Sequence, residues 1–198
     1  MIRFIVTGHR ATASGDFKLD DIAGGAGRLD ILVRCVNSVF FLSHSIRTDA
    51  ELFLILEGGA GAPKTVRFSG SELRYLNPDE RSTASLIRNA LLKKTDDTEV
   101  RSSPGIYVSK RSFFDIMDEL QKISKIMYLK EDGRDVRECE FQEDVTFVLG
   151  DDKDLTSEEE DAVMRCSPSK VCIGPLSLHA DHCIIVALNE IDRQRIRR

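Results

Sequence analysis

Two strand-loop motifs in the last third of the chain decide the predicted fold: Phe147-Val148-Leu149-Gly150-Asp151 and Val171-Cys172-Ile173-Gly174-Pro175-Leu176-Ser177-Leu178. A third apolar run ends nearby at Leu129-Lys130-Glu131. In a parallel α/β sheet, ligands bind outside the carboxyl ends of the strands, and glycine there lets a ligand approach the backbone closely. Backbone amides and carbonyls at such a site suit an adenine edge and a ribose. Taken alone, however, the pattern favours ordinary strand-to-helix turns.

Outward from these motifs, strand and helix patterns alternate along the chain. Apolar residues recur with helical spacing from Leu29 to Phe40, and a capping-box spacing opens two later helices, at Ser112 and at Thr156. The predicted strands are 3–7, 52–56, 64–69, 126–130, 145–149 and 171–173, and 105–108 is predicted as a short strand or an extended turn. The predicted helices are 28–43, 79–94, 179–195 and the two that begin at Ser112 and Thr156. A turn signal at 131–134 predicts a polar hairpin over 131–141. The alternation predicts an α/β fold with a mostly parallel sheet and helices on both faces.

The composition bounds the class of protein. The 198 residues suit one domain, or one and a half, and 41% hydrophobic with 31% charged residues is typical of a globular chain. No apolar run approaches the roughly 20 residues that span a bilayer, so we expect no membrane partner, and the N-terminus does not read as a signal peptide. Five cysteines, an odd number without a close pair, predict reduced thiols and a cytoplasmic location.

The net charge of −5 argues against a nucleic-acid partner, because a domain that binds phosphates is expected to be basic. The distribution of the charge changes this interpretation. Residues 1–111 carry 16 basic and 13 acidic side chains, a net of +3, whereas residues 112–198 carry 12 and 20, a net of −8. The basic residues of the first part are mostly arginines, whose planar guanidinium matches phosphate. The same arginines also fit an ordinary solvated surface.

Other chemistries find little support in the sequence. The glycines at 24–27 and 58–61 match neither a dinucleotide fingerprint nor a P-loop, which favours loop roles. Cys166, Cys172, His179, His182 and Cys183 fit no common zinc spacing, and buried cysteine is usually an apolar filler, so we predict no metal. The sequence shows no recognisable Ser/His/Asp signature of a hydrolase.

The two strand-loop motifs, followed by a helix that begins His179-Ala180-Asp181-His182-Cys183, resemble the SPOUT class of knotted RNA methyltransferases. Within that class, nearly the whole chain is similar to the archaeal tRNA (pseudouridine(54)-N(1))-methyltransferases. It shares with them the segments Ser43-His44-Ser45-Ile46-Arg47-Thr48-Asp49, Leu76-Asn77-Pro78-Asp79-Glu80-Arg81-Ser82 and Ser103-Pro104-Gly105-Ile106. The resemblance implies a C-terminal deep trefoil knot, a homodimer, and S-adenosyl-L-methionine (SAM) bound by three knot loops. General rules of chain topology nearly forbid knots, so periodicity could not have predicted one.

The resemblance also implies the site residues. The cofactor would contact Leu129, Gly150, Gly174, Pro175, Leu176, Ser177, Leu178 and Cys183. The implied reaction is methylation of N1 of pseudouridine 54 in the T-loop of tRNA, and that nitrogen must lose a proton. We expect Asp49 to orient or accept this proton and Arg47 to hold the base or its phosphate. Asp79 and Arg81 are the second candidate pair, although an aspartate at a helix start is usually a cap.

Contacts with RNA are expected from the N-terminal part, through His9, Arg10, Arg28 and Arg34. The arginine-rich end (Arg193, Arg195, Arg197 and Arg198) could add to them, but complementing the negative end of its own helix is the favoured interpretation. Two alternative functions stay open: a pseudouridine methyltransferase acting on ribosomal RNA, and a non-catalytic RNA-binding protein of the same fold. We predict one SPOUT domain over 1–198, with a substrate-facing part over 1–111 and a knot, cofactor and dimer part over 112–198.

Overall fold

The computed structural model describes residues 1–196, so Arg197 and Arg198 of the arginine-rich end lie outside the described residues. The strands are β1 Ile2–Thr12, β2 Ala50–Gly58, β3 Lys64–Ser69, β4 Val100–Ser103, β5 Ile106–Ser109, β6 Lys125–Asp135, β7 Val145–Gly150 and β8 Ser169–Cys172. The helices are α1 Leu29–Phe40, α2 Glu80–Leu91, α3 Phe113–Leu120, α4 Ser157–Arg165 and α5 Ala180–Ile196. None of these helices has the length and apolar character needed to cross a membrane.

The eight strands form one sheet in the order β4-β5-β3-β2-β1-β7-β6-β8. The strands β2, β1, β7, β6 and β8 pair in parallel, and β3, β5 and β4 extend one edge in antiparallel fashion. On β1, Ile2 lies between Ala50 of β2 and Val145 of β7. The predicted α/β fold with a mostly parallel sheet is confirmed, and strands from both ends of the chain meet at its centre.

Helices cover both faces of the sheet. Helices α1, α2 and α5 pack on one face, and α3 and α4 pack on the other. On β1, Phe4 points to the face covered by α1, α2 and α5, where it stacks on Phe147 with ring centroids 5.2 Å apart. Its neighbour Ile5 points to the face covered by α3 and α4. A strand covered on both faces needs apolar side chains in both directions, which explains the unbroken run from Phe4 to Val6.

Helix starts follow the sequence signals closely. Both predicted capping boxes are present, with Ser112 and Asp115 at α3 and Thr156 and Glu159 at α4. In each box the hydroxyl accepts a hydrogen bond from the N3 backbone, and the N3 carboxylate accepts one from the N-cap backbone.

The segment after Lys130 differs from the prediction, and the expected hairpin over 131–141 is wrong. Strand β6 continues to Asp135 beside β8, with an irregularity between Leu129 and Arg134, both of which pair with Val171. Gly133 passes so close to β8 that a Cβ there would lie 2.5 Å from the backbone nitrogen of Val171. The turn signal therefore marks a bulge within one strand. Strand β4 was also missed, because this short edge strand contains one large apolar residue, Val100.

Candidate functional site

A cavity of about 390 Å³ opens where β7 and β8 end, beside the irregularity in β6, and its volume is within the size range of small-molecule sites. Its apolar lining comes from Ile31, Leu129, Leu149, Val171, Ile173, Leu176, Leu178 and Ala180. Its charged lining comes from Arg28, Lys130, Glu131, Asp151, Asp152, Lys153 and Asp154. Leu176 keeps 75% of its surface exposed and Leu178 keeps 41%. Apolar side chains left open in a cavity of this size favour a ligand that covers them.

Most residues predicted to contact the cofactor lie in this cavity. Its lining includes Leu129, Gly150, Gly174, Leu176, Ser177, Leu178 and Cys183, whereas Pro175 is not part of it. A Cβ on Gly150 would lie 2.0 Å from the carbonyl oxygen of Lys153, so the chain itself requires a glycine there. A Cβ on Gly174 would meet nothing within 4 Å. The space beside Gly174 is therefore available to a ligand.

The loop after β8 is tied to the neighbouring elements. The Ser177 hydroxyl donates a hydrogen bond to Glu131 at 2.9 Å, which joins this loop to β6. The Cys183 thiol lies 3.7 Å from the carbonyl oxygen of Leu178. Burial raises the pKa of Cys183 to about 11, so Cys183 is a neutral thiol at physiological pH and serves as a packing group rather than as a nucleophile.

His9, at the end of β1, lies between two carboxylates beside the cavity. Its Nε2 is 2.8 Å from Glu159, and its Nδ1 is 3.9 Å from Asp151. The carboxylates of Asp151 and Glu159 raise the pKa of His9 to about 10, so the ring is an imidazolium at neutral pH. Burial together with the charge of Glu159 raises the pKa of Glu57 on the same cluster.

The same cluster bears on metal binding. Within residues 1–196, His9, Glu57 and Glu159 form the one group whose potential ligand atoms all lie within 4.8 Å of one another. In this cluster the Nε2 atom of His9 lies within hydrogen-bond distance of the Glu159 carboxylate, at 2.8 Å. The cysteines and histidines at 166–183 form no comparable group in the described part of the chain.

The three arginines predicted to contact RNA each have a carboxylate partner, and of the three Arg28 lines the cavity. Arg28 lines the cavity with a left-handed backbone (φ 68°) and donates two hydrogen bonds to Asp30, at 3.0 and 3.1 Å. Arg34 donates to the same carboxylate at 2.9 Å, and Arg10 donates to Asp152. The side chains of Arg10 and Arg28 keep 46% and 37% of their surface exposed, which leaves guanidinium donors free for RNA.

The first pair of predicted catalytic residues is held against α5. Buried Arg47 donates to both oxygens of Asp192, at 2.9 and 2.6 Å, and this hydrogen-bonded partner raises the arginine's pKa. Asp49 accepts a hydrogen bond from Arg195 of the same helix. Neither Arg47 nor Asp49 lines the cavity.

The second pair lies at the start of α2. Asp79 is the N-cap of this helix, and its carboxylate accepts a hydrogen bond from the backbone of Ser82 at 2.7 Å. Arg81 pairs with Asp20 on the surface. Neither Asp79 nor Arg81 lines the cavity, and the catalytic role of both pairs stays a prediction.

Asp151 and Asp152 are the site residues that sequence reasoning missed. They follow Gly150 directly, and Gly150 pairs with Thr7 on the adjacent strand β1. The sequence did carry a signal for them, because two residues that directly follow a parallel strand lie at the edge of the sheet where ligands bind.

Comparisons with known proteins identify the family. The family model described as "Putative SAM-dependent RNA methyltransferase" matches residues 1–196. The chain belongs to this RNA methyltransferase family. Two proteins named tRNA (pseudouridine(54)-N(1))-methyltransferase are similar to it: one from Methanocella arvoryzae, 47% identical over 98% of this chain and 100% of that protein, and one from Haloferax volcanii, 50% identical over 97% and 96%.

The fold of this RNA methyltransferase is shared with a solved structure. The crystal structure of Archaeoglobus fulgidus Nep1 bound to S-adenosylhomocysteine covers 98% of both chains with a TM-score of 0.64 at 14% identity. The family description names SAM as the methyl donor. The cavity fits that molecule: the exposed leucines at 176 and 178 suit its adenosine, the space beside Gly174 admits it, and Glu131 can accept hydrogen bonds from an ammonium group.

Proposed function

We propose that this RNA methyltransferase methylates N1 of pseudouridine 54 in the T-loop of tRNA, with SAM as the donor. The observation that carries the proposal is the cavity beside β6 at the ends of β7 and β8, which combines an apolar lining with two exposed arginines at its edge. Relatives of that name, 47% and 50% identical over nearly the full length, support the choice of substrate.

One set of residues binds the methyl donor, and another set borders the RNA acceptor. Bound SAM supplies an electrophilic methyl group. The cavity residues Leu129, Gly150, Gly174, Leu176, Ser177, Leu178 and Cys183, together with Pro175 of the same loop, hold and orient it. Arg10, Arg28, Arg34 and His9 border the acceptor side, where guanidinium donors suit the phosphates and carbonyls of an RNA loop. Alignment of the two reactants supplies much of the rate.

We also propose that the chain acts in the cytoplasm as a homodimer with a trefoil knot in its C-terminal part. A groove lined by residues of α1 and α5 supports the dimer. It contains Leu42 and Ile185, which keep 45% and 51% of their surface exposed. A second copy that covers these side chains would remove apolar surface from water, and it would bury the α5 side of the molecule.

The decisive experiment is mass spectrometry of tRNA after incubation with the protein and SAM. We expect a one-methyl mass gain in the T-loop fragment of a tRNA that carries pseudouridine 54, and no gain in the uridine-54 control. A gain confined to a pseudouridine-containing ribosomal RNA fragment would replace the tRNA proposal. No gain on any RNA, together with no heat of binding for S-adenosylhomocysteine in calorimetry, would indicate a non-catalytic RNA-binding protein.

A further inference from the structure

Two ion pairs lie side by side where the pairing between β1 and β7 stops. Beyond the paired residues Thr7 and Gly150, His9 lies near Asp151 and Arg10 pairs with Asp152. The two carboxylates differ in access, since the Asp151 side chain is 1% exposed and the Asp152 side chain is 26% exposed. Only the second pair can therefore meet an incoming substrate.

The backbone at Arg10 packs closely against two glycines, Gly27 before α1 and Gly58 at the end of β2. A Cβ on Gly27 would lie 1.8 Å from the carbonyl oxygen of Arg10, and a Cβ on Gly58 would lie 2.2 Å from the same atom. Both Gly-rich segments of the sequence thus contact one residue. The next residue after Gly27, Arg28, places its guanidinium 3.8 Å from Asp152. Two arginines consequently flank one carboxylate that lines the cavity.

We propose that Asp152 accepts the N1 proton and that Arg10 and Arg28 bind the adjacent carbonyl of the base. This inference rests on the proposed function and names a catalytic residue for it. A carboxylate beside a guanidinium presents a hydrogen-bond acceptor next to hydrogen-bond donors. In the base of pseudouridine, the N1–H can donate to the carboxylate while the C2 carbonyl accepts from the guanidinium. Uridine has no N–H at that position, because its N1 is bonded to ribose. In the reaction the bond between N1 and the methyl carbon forms as the S–C bond of the donor breaks. The electron pair of the S–C bond stays on sulfur, and the N1 proton moves to Asp152.

The other acidic groups near the cavity are less suited to this role. Asp151 is buried against the His9 imidazolium, and Glu131 accepts a hydrogen bond from Ser177 within the cofactor loops. Asp154 lines the cavity, but its nearest cationic partner is Lys130, at 3.8 Å, rather than an arginine. Asp49, the base expected from the sequence, is hydrogen-bonded to Arg195 and is not part of the cavity.

The test compares Asp152→Asn with Asp144→Asn. Asp144 precedes β7 at its opposite end and also pairs with an arginine, Arg3, at 2.8 Å, so it is a matched control outside the site. Single-turnover methylation of a pseudouridine-containing T-arm RNA is measured from pH 6 to 9.5, and S-adenosylhomocysteine affinity is measured by calorimetry. We expect Asp152→Asn to slow methylation by about 100-fold or more at neutral pH. The difference in methylation rate between Asp152→Asn and wild type should shrink as pH rises, because solvent then removes the N1 proton. The affinity of Asp152→Asn for S-adenosylhomocysteine should match that of wild type. The methylation rate of Asp144→Asn should also match that of wild type.

The following results would overturn the inference. The first is near-wild-type methylation by Asp152→Asn, and the second is a loss of cofactor affinity that accounts for its slow rate. If Asp152→Asn does not fold, Arg10→Gln decides instead: a slower rate with normal cofactor binding supports the inference, and a normal rate refutes it. The third is Asp49→Ala losing turnover while Asp152→Asn keeps it, which would restore Asp49 as the base. Inactivity of the wild-type protein on pseudouridine RNA would refute the proposed function itself, which is a separate outcome.

Discussion

Replacing His9 with glutamine should destabilise the protein in a way that depends on pH. Glutamine keeps a hydrogen-bonding side chain of similar length but cannot carry the positive charge. The variant leaves Glu159, 2% exposed, and Asp151 as buried carboxylates without their cation. Leaving a buried charge without its partner is among the more costly changes that a single substitution makes.

The size of this effect follows from the pKa of His9. A shift from 6.5 to about 10 sets an upper limit of about 5 kcal/mol. Because the His9 side chain keeps 14% of its exposure and the carboxylates can reach solvent in the variant, we expect a loss of about 2–3 kcal/mol. The folded pKa lies above the unfolded one, so the stabilisation is complete below pH 6.5 and is lost as pH rises through about 10.

The assay is urea unfolding of wild type and His9→Gln at a series of pH values from 6 to 9.5. The stability difference should be largest at pH 6 and should fall below about 1 kcal/mol at pH 9.5. His182→Gln, at a side chain that is 58% exposed, is the control for the histidine-to-glutamine change itself. A difference that stays constant across this range would refute the reasoning, since the charge of His9 would then contribute nothing to the cluster.

Three further predictions concern ligands and assembly. Affinity for tRNA, measured by fluorescence anisotropy, should fall as salt rises despite the net charge of −5, and a flat response would contradict phosphate binding by the arginines. Gly174→Ala should leave the thermal unfolding midpoint unchanged but weaken S-adenosylhomocysteine binding in calorimetry, because its Cβ meets no protein atom within 4 Å. Unchanged binding would show that the ligand does not use that space. Ile185→Asp should shift the protein from dimer to monomer in sedimentation velocity, while Met164→Asp on the opposite face should not, and a persistent dimer would exclude the α5 groove as the interface.

The resemblance to the SPOUT class, rather than the strand-end pattern alone, led to the prediction of the residues that line the cavity. Gly150 at the end of β7, and Gly174 and residues 176–178 after β8, lie together in it because parallel strands end at one edge of the sheet. The bulge at Gly133 could not be predicted, since its turn signal fits a hairpin equally well. Only the pairing of β6 with β8 shows which structure forms.

The distribution of charge shows where sequence reasoning stopped. Dividing the chain after Arg111 gave a basic first part, but ion pairs cross that division, as between Arg10 and Asp152 and between Arg47 and Asp192. Which acid neutralises which arginine depends on strand order, because β1 and β7 become neighbours only in the folded sheet. A sum over a stretch of sequence therefore does not describe a surface.

The position of β1 in the sheet has a consequence for synthesis on the ribosome. This first strand is made early, yet one of its two neighbours is β7, which emerges only after residue 144. Until then the apolar edge around Phe4 has no permanent cover on that side, so the nascent chain carries an unpaired strand that can join a wrong partner. Pairing across so long a stretch of chain also makes folding slow. The cavity also needs β8 and the residues that follow it, so a ligand that binds there can recognise only chains in which Cys183 has already emerged.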